Sequence, residues 1–368
     1  MIENRFGESA PFSLGVEEEL MILDGETYAP VPAVRKIIAE SERLDLPGRL
    51  KTELHASIVE LNTDVCSTAA EALDAVRALR AAASSLAERH GLRVAAAGSH
   101  PFARPEELEI VTEPRYQEFV DYAGITARRQ GVSGLHVHVG MPDAETSIAA
   151  LEGVLPWLPV VLALSANSPY LAGSEAGMLS ARAEVLSLLP RRGAPPVFGT
   201  YADWERFVGR LLASGLVRDY TAIWWDVRPH PRFGTLEIRM PDQPTSVDLT
   251  GAFIALLQAL CATVVRDPAV PRAATERGIY DQNRWAAARF GPHGKLIHPE
   301  RDGAVAVPEL AGELLRLTEP AARELGAAEL LSALDETTCE ADLQLDLGRK
   351  RGLRAVCADL VDRSLASP

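Results

Sequence analysis

Residues 15–23 read GVEEELMIL, and the alternation inside those nine residues decides how the rest of the chain is read. Successive side chains of a strand point to opposite faces, so Glu17 and Glu19 share one face while Val16, Glu18, Leu20 and Ile22 share the other. The same division recurs downstream. In GLHVHVGM (134–141), His136 and His138 oppose Leu135, Val137, Val139 and Met141. In TLEIRM (235–240), Glu237 and Arg239 oppose Leu236, Ile238 and Met240, and in IWWDVR (223–228), Trp224, Asp226 and Arg228 oppose Ile223, Trp225 and Val227. Each strand thus has an apolar face suited to a helical layer and a polar face rich in carboxylates, imidazoles and guanidiniums. The short separation of Trp225 from Thr235 reads as a hairpin. The expected class is α+β, one antiparallel sheet with helices on one face.

Helical signals lie between these runs. Thr68 and Glu71 have capping-box spacing ahead of an Ala- and Leu-rich run ending at His90–Gly91, and 248–266 reads as a buried apolar helix. The last sixty residues, from about 305, alternate apolar and charged positions at helical spacing. Loops are expected over 168–199 and 290–303. No Gly/Ser linker or internal repeat divides the chain, so residues 1–368 read as a single catalytic domain with a short tail over about 1–10.

With 47% hydrophobic and 24% charged residues the chain has a globular balance, and its formal charge of −14 repels phosphate backbones, which argues against nucleic acid as a partner. The cysteines, Cys66, Cys261, Cys339 and Cys357, form no CxxC pair, so a reducing cytoplasm is the expected home. The N-terminus lacks a basic start followed by an apolar run, so no signal peptide is expected. The apolar stretch 148–164 carries Glu152, Pro156 and Pro159 and reads as a buried helix rather than a membrane span. Oligomeric state is not encoded in any pattern here; a homo-oligomer is compatible with it.

One polar strand face is ordinarily a solvated one, and an HxH or ExE pair alone is weak. The concentration of Glu17, Glu19, His136, His138, Glu237 and Arg239 is harder to assign to solvation, because solvated faces are built from Lys, Ser, Thr and Gln, of which these runs hold few. Carboxylates with one or two imidazoles and no thiolate favour Mg²⁺ or Mn²⁺. The segment KTELHASIVELNT (51–63) adds Glu53 and Glu60, seven apart and so on opposite faces of an unbroken strand; a bulge or loop would be needed to bring both to one site. Neither GxxxxGK[ST] nor a strand-linked GxGxxG occurs, so any polyphosphate must be held by metals and by arginines, with Arg128, Arg182, Arg228, Arg239 and Arg284 among the candidates.

Taken together, GVEEEL (15–20), KTELHASIVELNT (51–63), AGSHPFA (97–103), GLHVHVG (134–140), SARAE (180–184), WWDVRPHPRFGTLEIRMPD (224–242) and NRWAAARFG (283–291) resemble glutamate–cysteine ligase family 2, the compact bacterial carboxylate–amine ligases. The order of the charged strands is also similar to that of glutamine synthetase. The resemblance implies a curved antiparallel sheet whose concave face lines a funnel. It implies one metal site from Glu19, Glu53 and Glu60 near the acyl substrate, and a second from Glu17, His136 and Glu237 on the phosphates of ATP. Arg239 would stabilise the transferring phosphoryl group, His138 would sit beside the nucleotide, and Arg182 would hold the amino-acid substrate.

The implied activity is ATP-dependent joining of glutamate, through an acyl phosphate, to cysteine or a similar amino acid, with Mg²⁺ or Mn²⁺ as cofactor. Phosphoryl transfer to a guanidino-type acceptor on the same fold is the alternative, followed by a metal-dependent amidohydrolase, against which the lack of further histidines on later strands counts. A catalytically silent scaffold fits poorly with retention of the whole charged set.

Overall fold

A computed structural model describes residues 2–267, 276–335 and 339–365. Its centre is a seven-stranded sheet built from β1 (Leu14–Asp24), β2 (Gly48–Thr52), β3 (Ile58–Thr63), β4 (Leu92–Ala95), β5 (His136–Gly140), β6 (Val227–His230) and β7 (Thr235–Ile238). The order is β6-β7-β5-β1-β3-β2, with β4 also paired to β1, and every pairing is antiparallel. The expected hairpin is present as β6–β7, its arms joined by a turn around Gly234.

Strand β1 is long enough to have two neighbours in succession along one edge. Glu17 still pairs with His136 of β5, and Met21 already pairs with Ala95 of β4. The intervening backbone has no strand beside it on that edge. The Gln243 side chain fills the space, its Oε1 accepting from Glu19 N–H at 3.0 Å.

The apolar face predicted by alternation is the one that packs. Leu14, Val16, Val137, Val139, Leu236 and Ile238 form one core with Phe253, Leu256, Leu257 and Leu260 of α3 (Val247–Arg266). Leu20, Ile22, Val59 and Leu61 form a second with Leu79 and Leu86 of α1 (Ala69–Glu88). Complete burial of such side chains stabilises by roughly 1.5–3 kcal/mol each. Helix α1 starts as read: the Thr68 hydroxyl accepts from Glu71 N–H at 3.1 Å. The apolar stretch near residue 150 is α2 (Ala144–Val154) continued by a turn and a short helix to Ser165. Residues 144–165 and 247–266 have the length and composition to cross a membrane, but both lie mostly inside the core.

The second half of β1 is covered on its other face too. Met21 and Leu23 pack with Val356, Leu360 and Val361 of α4 (Leu353–Leu365). The polar face is therefore open only along the first half of β1. Most of the predicted C-terminal helical region is helical where described; residues 336–338 and 366–368 lie outside the described residues, as does Met1 of the predicted tail. The two predicted loops carry structure, a short helix at Ala181–Leu186 in the first and a small hairpin, Lys295–Ile297 with Ala304–Ala306, in the second.

Glu18, which alternation puts on the apolar face, is fully buried there. Arg80 of α1 meets it with two hydrogen bonds, Nε to Oε2 at 2.7 Å and NH2 to Oε1 at 2.6 Å. Thr250 Oγ1 and Gln243 Nε2 also donate to Glu18 Oε1. A charge so far from water persists only when paired and fully hydrogen-bonded, and this one is.

Candidate functional site

Cross-strand register converts the alternating sequence into rows on the polar face. Arg228, Glu237 and His138 occupy facing positions on β6, β7 and β5. His136, Glu17 and Asn62 form the next row across β5, β1 and β3, and Glu19, Glu60 and Lys51 the third across β1, β3 and β2. Residues fixed in one sheet hold these spacings without any loop having to order.

The segment 50–62 is not one strand, as its alternation implied, but two antiparallel strands joined by residues 53–57. Glu53 lies just past the end of β2, at the start of that connection, and Glu60 lies on β3. The reversal brings together two carboxylates that an unbroken strand would have put on opposite faces. One carboxylate oxygen each from Glu19, Glu53 and Glu60 falls within 4.8 Å of the others.

Three acids at this separation, one buried and two half-buried, resist losing their protons. Burial, then the charge of Glu53, pushes Glu19 up to about 8, although Gly134 N–H donates to its Oε2 at 2.9 Å. Burial raises Glu53 as well, and burial with the charges of Glu17 and Glu53 raises Glu60 well above the usual carboxylate range.

A second group forms from Glu17, His138 and Glu237, again with one ligand atom each within 4.8 Å of the others. His138 Nε2 stands 3.7 Å from Glu17 Oε1 and 3.9 Å from Glu237 Oε1. That nitrogen is buried without a hydrogen-bond partner, while Nδ1 is 2.9 Å from Thr235 Oγ1. A buried ring nitrogen that faces two carboxylates and bonds to neither is a fitting position for a cation ligand. The expected imidazole ligand was His136. Its Nδ1 instead lies 3.2 Å from Glu17 Oε2 and 3.4 Å from Arg239 NH1, and burial together with the Arg239 charge draws the ring down to about 4. His138, expected beside the nucleotide, is the imidazole that completes the second group.

The two carboxyls of this second group are held in the ionised form. Burial opposes ionisation of Glu17, but the His136 hydrogen bond together with the electrostatic pull of His138 and His136 outweighs it and draws the carboxyl to about 2, and Asn62 Nδ2 also donates to it at 3.0 Å. Burial likewise opposes Glu237, yet Arg228 and Arg239 hold it well below the usual range. Arg228 Nε donates to Glu237 Oε2, and Arg239 NH1 donates to its Oε1. The positive charge of Arg239 also acts on Glu17, Glu19 and Glu53, so one guanidinium serves both groups.

Arg182, expected to hold a substrate, is buried. Its NH1 donates to Met240 O at 3.1 Å and its NH2 to Arg239 O at 3.0 Å. Asp242, which sequence reasoning passed over, is fully buried beside it and accepts from Asn167 N–H, Ser168 Oγ and Ser180 Oγ. Gln243 and Arg80 were also missed; the one signal for them was a glutamate, Glu18, on an apolar face.

At the Glu17–His138 end the face opens into a cavity of about 410 Å³. Lys51, Asn62, Arg232 and Phe233 line it, with Arg5 from the N-terminal segment. The Phe233 ring is half exposed and stacks on His230 with centroids 4.2 Å apart.

The chain matches the model of glutamate–cysteine ligase family 2 over residues 13–357. It is 40% identical over 337 residues to a protein of Rubrobacter xylanophilus whose name assigns it provisionally as glutamate–cysteine ligase 2-3, covering 91% of each chain. A relative from Herpetosiphon aurantiacus with a similar provisional name is 36% identical, covering 96% of this chain and 94% of its own. In structure the chain is similar to glutamate–cysteine ligase of Francisella tularensis, solved in complex with AMP, with a TM-score of 0.67 at 13% identity, covering 97% of this chain and 89% of that one. The bifunctional glutathione synthetase of Pasteurella multocida follows with a TM-score of 0.65 at 16% identity, 96% of this chain lying on 53% of that one. At such identities the structural likeness speaks for the fold alone.

Proposed function

Because this chain belongs to glutamate–cysteine ligase family 2 and is a ligase of that type, we propose that it uses ATP to join the side-chain carboxylate of glutamate to the amine of cysteine or a similar small amino acid. The observation that carries this reading is the pair of acidic groups on one sheet face with Arg239 acting on both. Phosphoryl transfer asks for positioning and charge neutralisation more than for covalent help, and this face supplies both.

Glu17, His138 and Glu237 would hold one divalent ion, and Glu19, Glu53 and Glu60 another. Both donor sets are oxygen and imidazole nitrogen without thiolate, which fits Mg²⁺ or Mn²⁺. Such ions, when bound, neutralise phosphate charge and polarise the phosphoryl oxygens. The cavity beside Glu17 and His138 takes the nucleotide, with Phe233 as a stacking surface and Arg232 and Lys51 for anionic groups. An adenine nucleotide is also what the Francisella ligase of the same fold carries.

The γ-phosphoryl group passes from ATP to the glutamate carboxylate, giving ADP and an acyl phosphate. The neutral amine attacks the acyl carbon, a C–N bond forms, phosphate leaves with the bonding electrons of the C–O bond, and the proton lost from nitrogen goes to that phosphate. Arg239, its guanidinium anchored on Glu237, faces the charge that spreads over the transferring oxygens. The fork of Arg228 keeps Glu237 ionised and in place. We take residues 1–368 as one catalytic unit acting on small molecules in the cytoplasm, a setting that goes with four free, buried cysteines.

The test is direct. Protein supplied with Mg²⁺, ATP, glutamate and cysteine should release ADP and phosphate and form a γ-glutamyl product visible by mass spectrometry. Absence of ADP and of condensed product with every amino-acid pair tried would refute the proposal.

A further inference from the structure

We propose that Arg182 is a positioning residue that holds Arg239 and Glu19 in register with each other, rather than a ligand for the substrate's carboxylate. The proposal rests on the ligase reading for its kinetic arm alone.

Strand β7 ends at Ile238, whose partner on β5 is Val137. The next two carbonyls, of Arg239 and Met240, are the ones that take the NH2 and NH1 of Arg182. Backbone that leaves a sheet must find other partners or water, and here the guanidinium of a side chain only 4% exposed provides them. The cation is itself seated. NH1 lies 3.8 Å from Asp242 Oδ1, and the Arg182 backbone N–H donates to Ser168 Oγ, which in turn donates to Asp242 Oδ2. Ser180 Oγ donates to Asp242 Oδ1 at 2.7 Å. The SARAE and RMPD motifs thus meet in one buried cluster behind the charged face.

The other side of the guanidinium is backbone. A Cβ on Gly134 would sit 2.0 Å from Arg182 NH2, so only glycine allows this approach. Gly134 N–H is the donor to Glu19 Oε2. Residues 133–135 also run against 241–243, with Leu135 N–H on Pro241 O and Gln243 N–H on Ser133 O. One side chain therefore packs between the backbone that carries Arg239 and the backbone that holds Glu19. With each terminal nitrogen donating to a carbonyl and the side chain only 4% exposed, Arg182 turns little of its fork toward a substrate carboxylate.

Three variants test this. Arg182→Ala and Arg182→Lys remove or shorten the fork. Gly134→Ala keeps Arg182 in the chain and takes away its space; the φ of Gly134 lies outside the left-handed region, so the added methyl acts through contact alone. For Gly134→Ala and Arg182→Ala we expect kcat to fall about 10²-fold with the KM for glutamate within about threefold, since a small misplacement at a reacting centre costs about that much. Arg182→Lys, which can still reach one carbonyl, should lie between. Mn²⁺ titration of the metal-free protein, which needs no substrate, should show one of two ions bound about tenfold more weakly in Gly134→Ala, the scale of losing an outer-shell partner.

A glutamate KM raised tenfold or more at wild-type kcat would make Arg182 a substrate clamp and overturn the proposal. So would Gly134→Ala with wild-type kcat, KM and Mn²⁺ affinity. If the wild-type protein makes no γ-glutamyl product, the ligase reading falls and the Mn²⁺ comparison still decides the role of Arg182. If the wild-type protein binds no Mn²⁺, both fall.

Discussion

Loading the metal-free protein with Mn²⁺ at pH 7 should expel protons, and the two acidic groups should differ in how many. Glu19 is pushed up to about 8 by burial and by Glu53, so at pH 7 it keeps its proton in about nine molecules of ten. Glu60 is raised well above the ordinary carboxylate range by burial and by Glu17 and Glu53. A cation binds only bare carboxylate, so filling this group releases roughly one proton from Glu19 alone. The other group has none to give from its acids, because Glu17 is held at about 2 and Glu237 well below the usual range. The expected release is at least about one proton per chain, and the Glu19 share falls to about a tenth of a proton at pH 9 as Glu19 ionises unaided. Calorimetry in two buffers of different protonation enthalpy reads this number directly. Glu19→Gln should remove about one proton from it. The same shift sets stability. A carboxyl whose folded pKa lies above its unfolded one stabilises fully below the unfolded value and loses that contribution as pH rises through the folded value. The metal-free protein should therefore weaken between about pH 5 and 8, by up to about 1.4 kcal/mol per pH unit per proton, and Mn²⁺ should reverse the loss. A release under about half a proton at pH 7, or one that does not fall with pH, would refute the account of the Glu19–Glu53–Glu60 group.

Arg239→Lys keeps the charge but loses the planar fork, so kcat should fall more than the KM for ATP rises; the reverse pattern would make Arg239 a ground-state contact. Phe233→Ala should raise the KM for ATP by about tenfold through loss of a stacking surface while leaving that for glutamate unchanged, and an effect confined to glutamate would put the nucleotide elsewhere. Arg80→Met strands a fully buried Glu18, and urea unfolding should show a loss of about 3–5 kcal/mol that the double variant with Glu18→Leu largely recovers; equal losses in the single and double variants would show that the pair is not the cause.

Period-two alternation was enough to place Glu17 and Glu19, His136 and His138, and Glu237 and Arg239 on the polar faces of their strands, because side-chain direction in a strand is a local property. What it could not reach is set by partners distant in sequence. Glu53 joins Glu60 through a chain reversal at 53–57 that no glycine or proline announces. The choice between His136 and His138 turns on which ring nitrogen faces Glu237 across β5 and β7, a matter of register rather than composition. Glu18 looked misplaced on an apolar face until Arg80, 62 residues on, supplied its partner. The fate of Arg182 depends on where two carbonyls leave the sheet, which no pattern in SARAE records.

The burial of β1 against α4 bears on how the protein is made. Arg80 donates to Ser364 O across 284 residues, and Ala96 N–H donates to Ser364 Oγ across 268. Those contacts finish the enclosure of the strand that carries Glu17 and Glu19, and they come from a helix synthesised long after it. A nascent chain lacking that helix holds the acidic strands with one flank of β1 uncovered, and a stall or truncation before Leu353 would leave an exposed apolar strand for chaperones to hold.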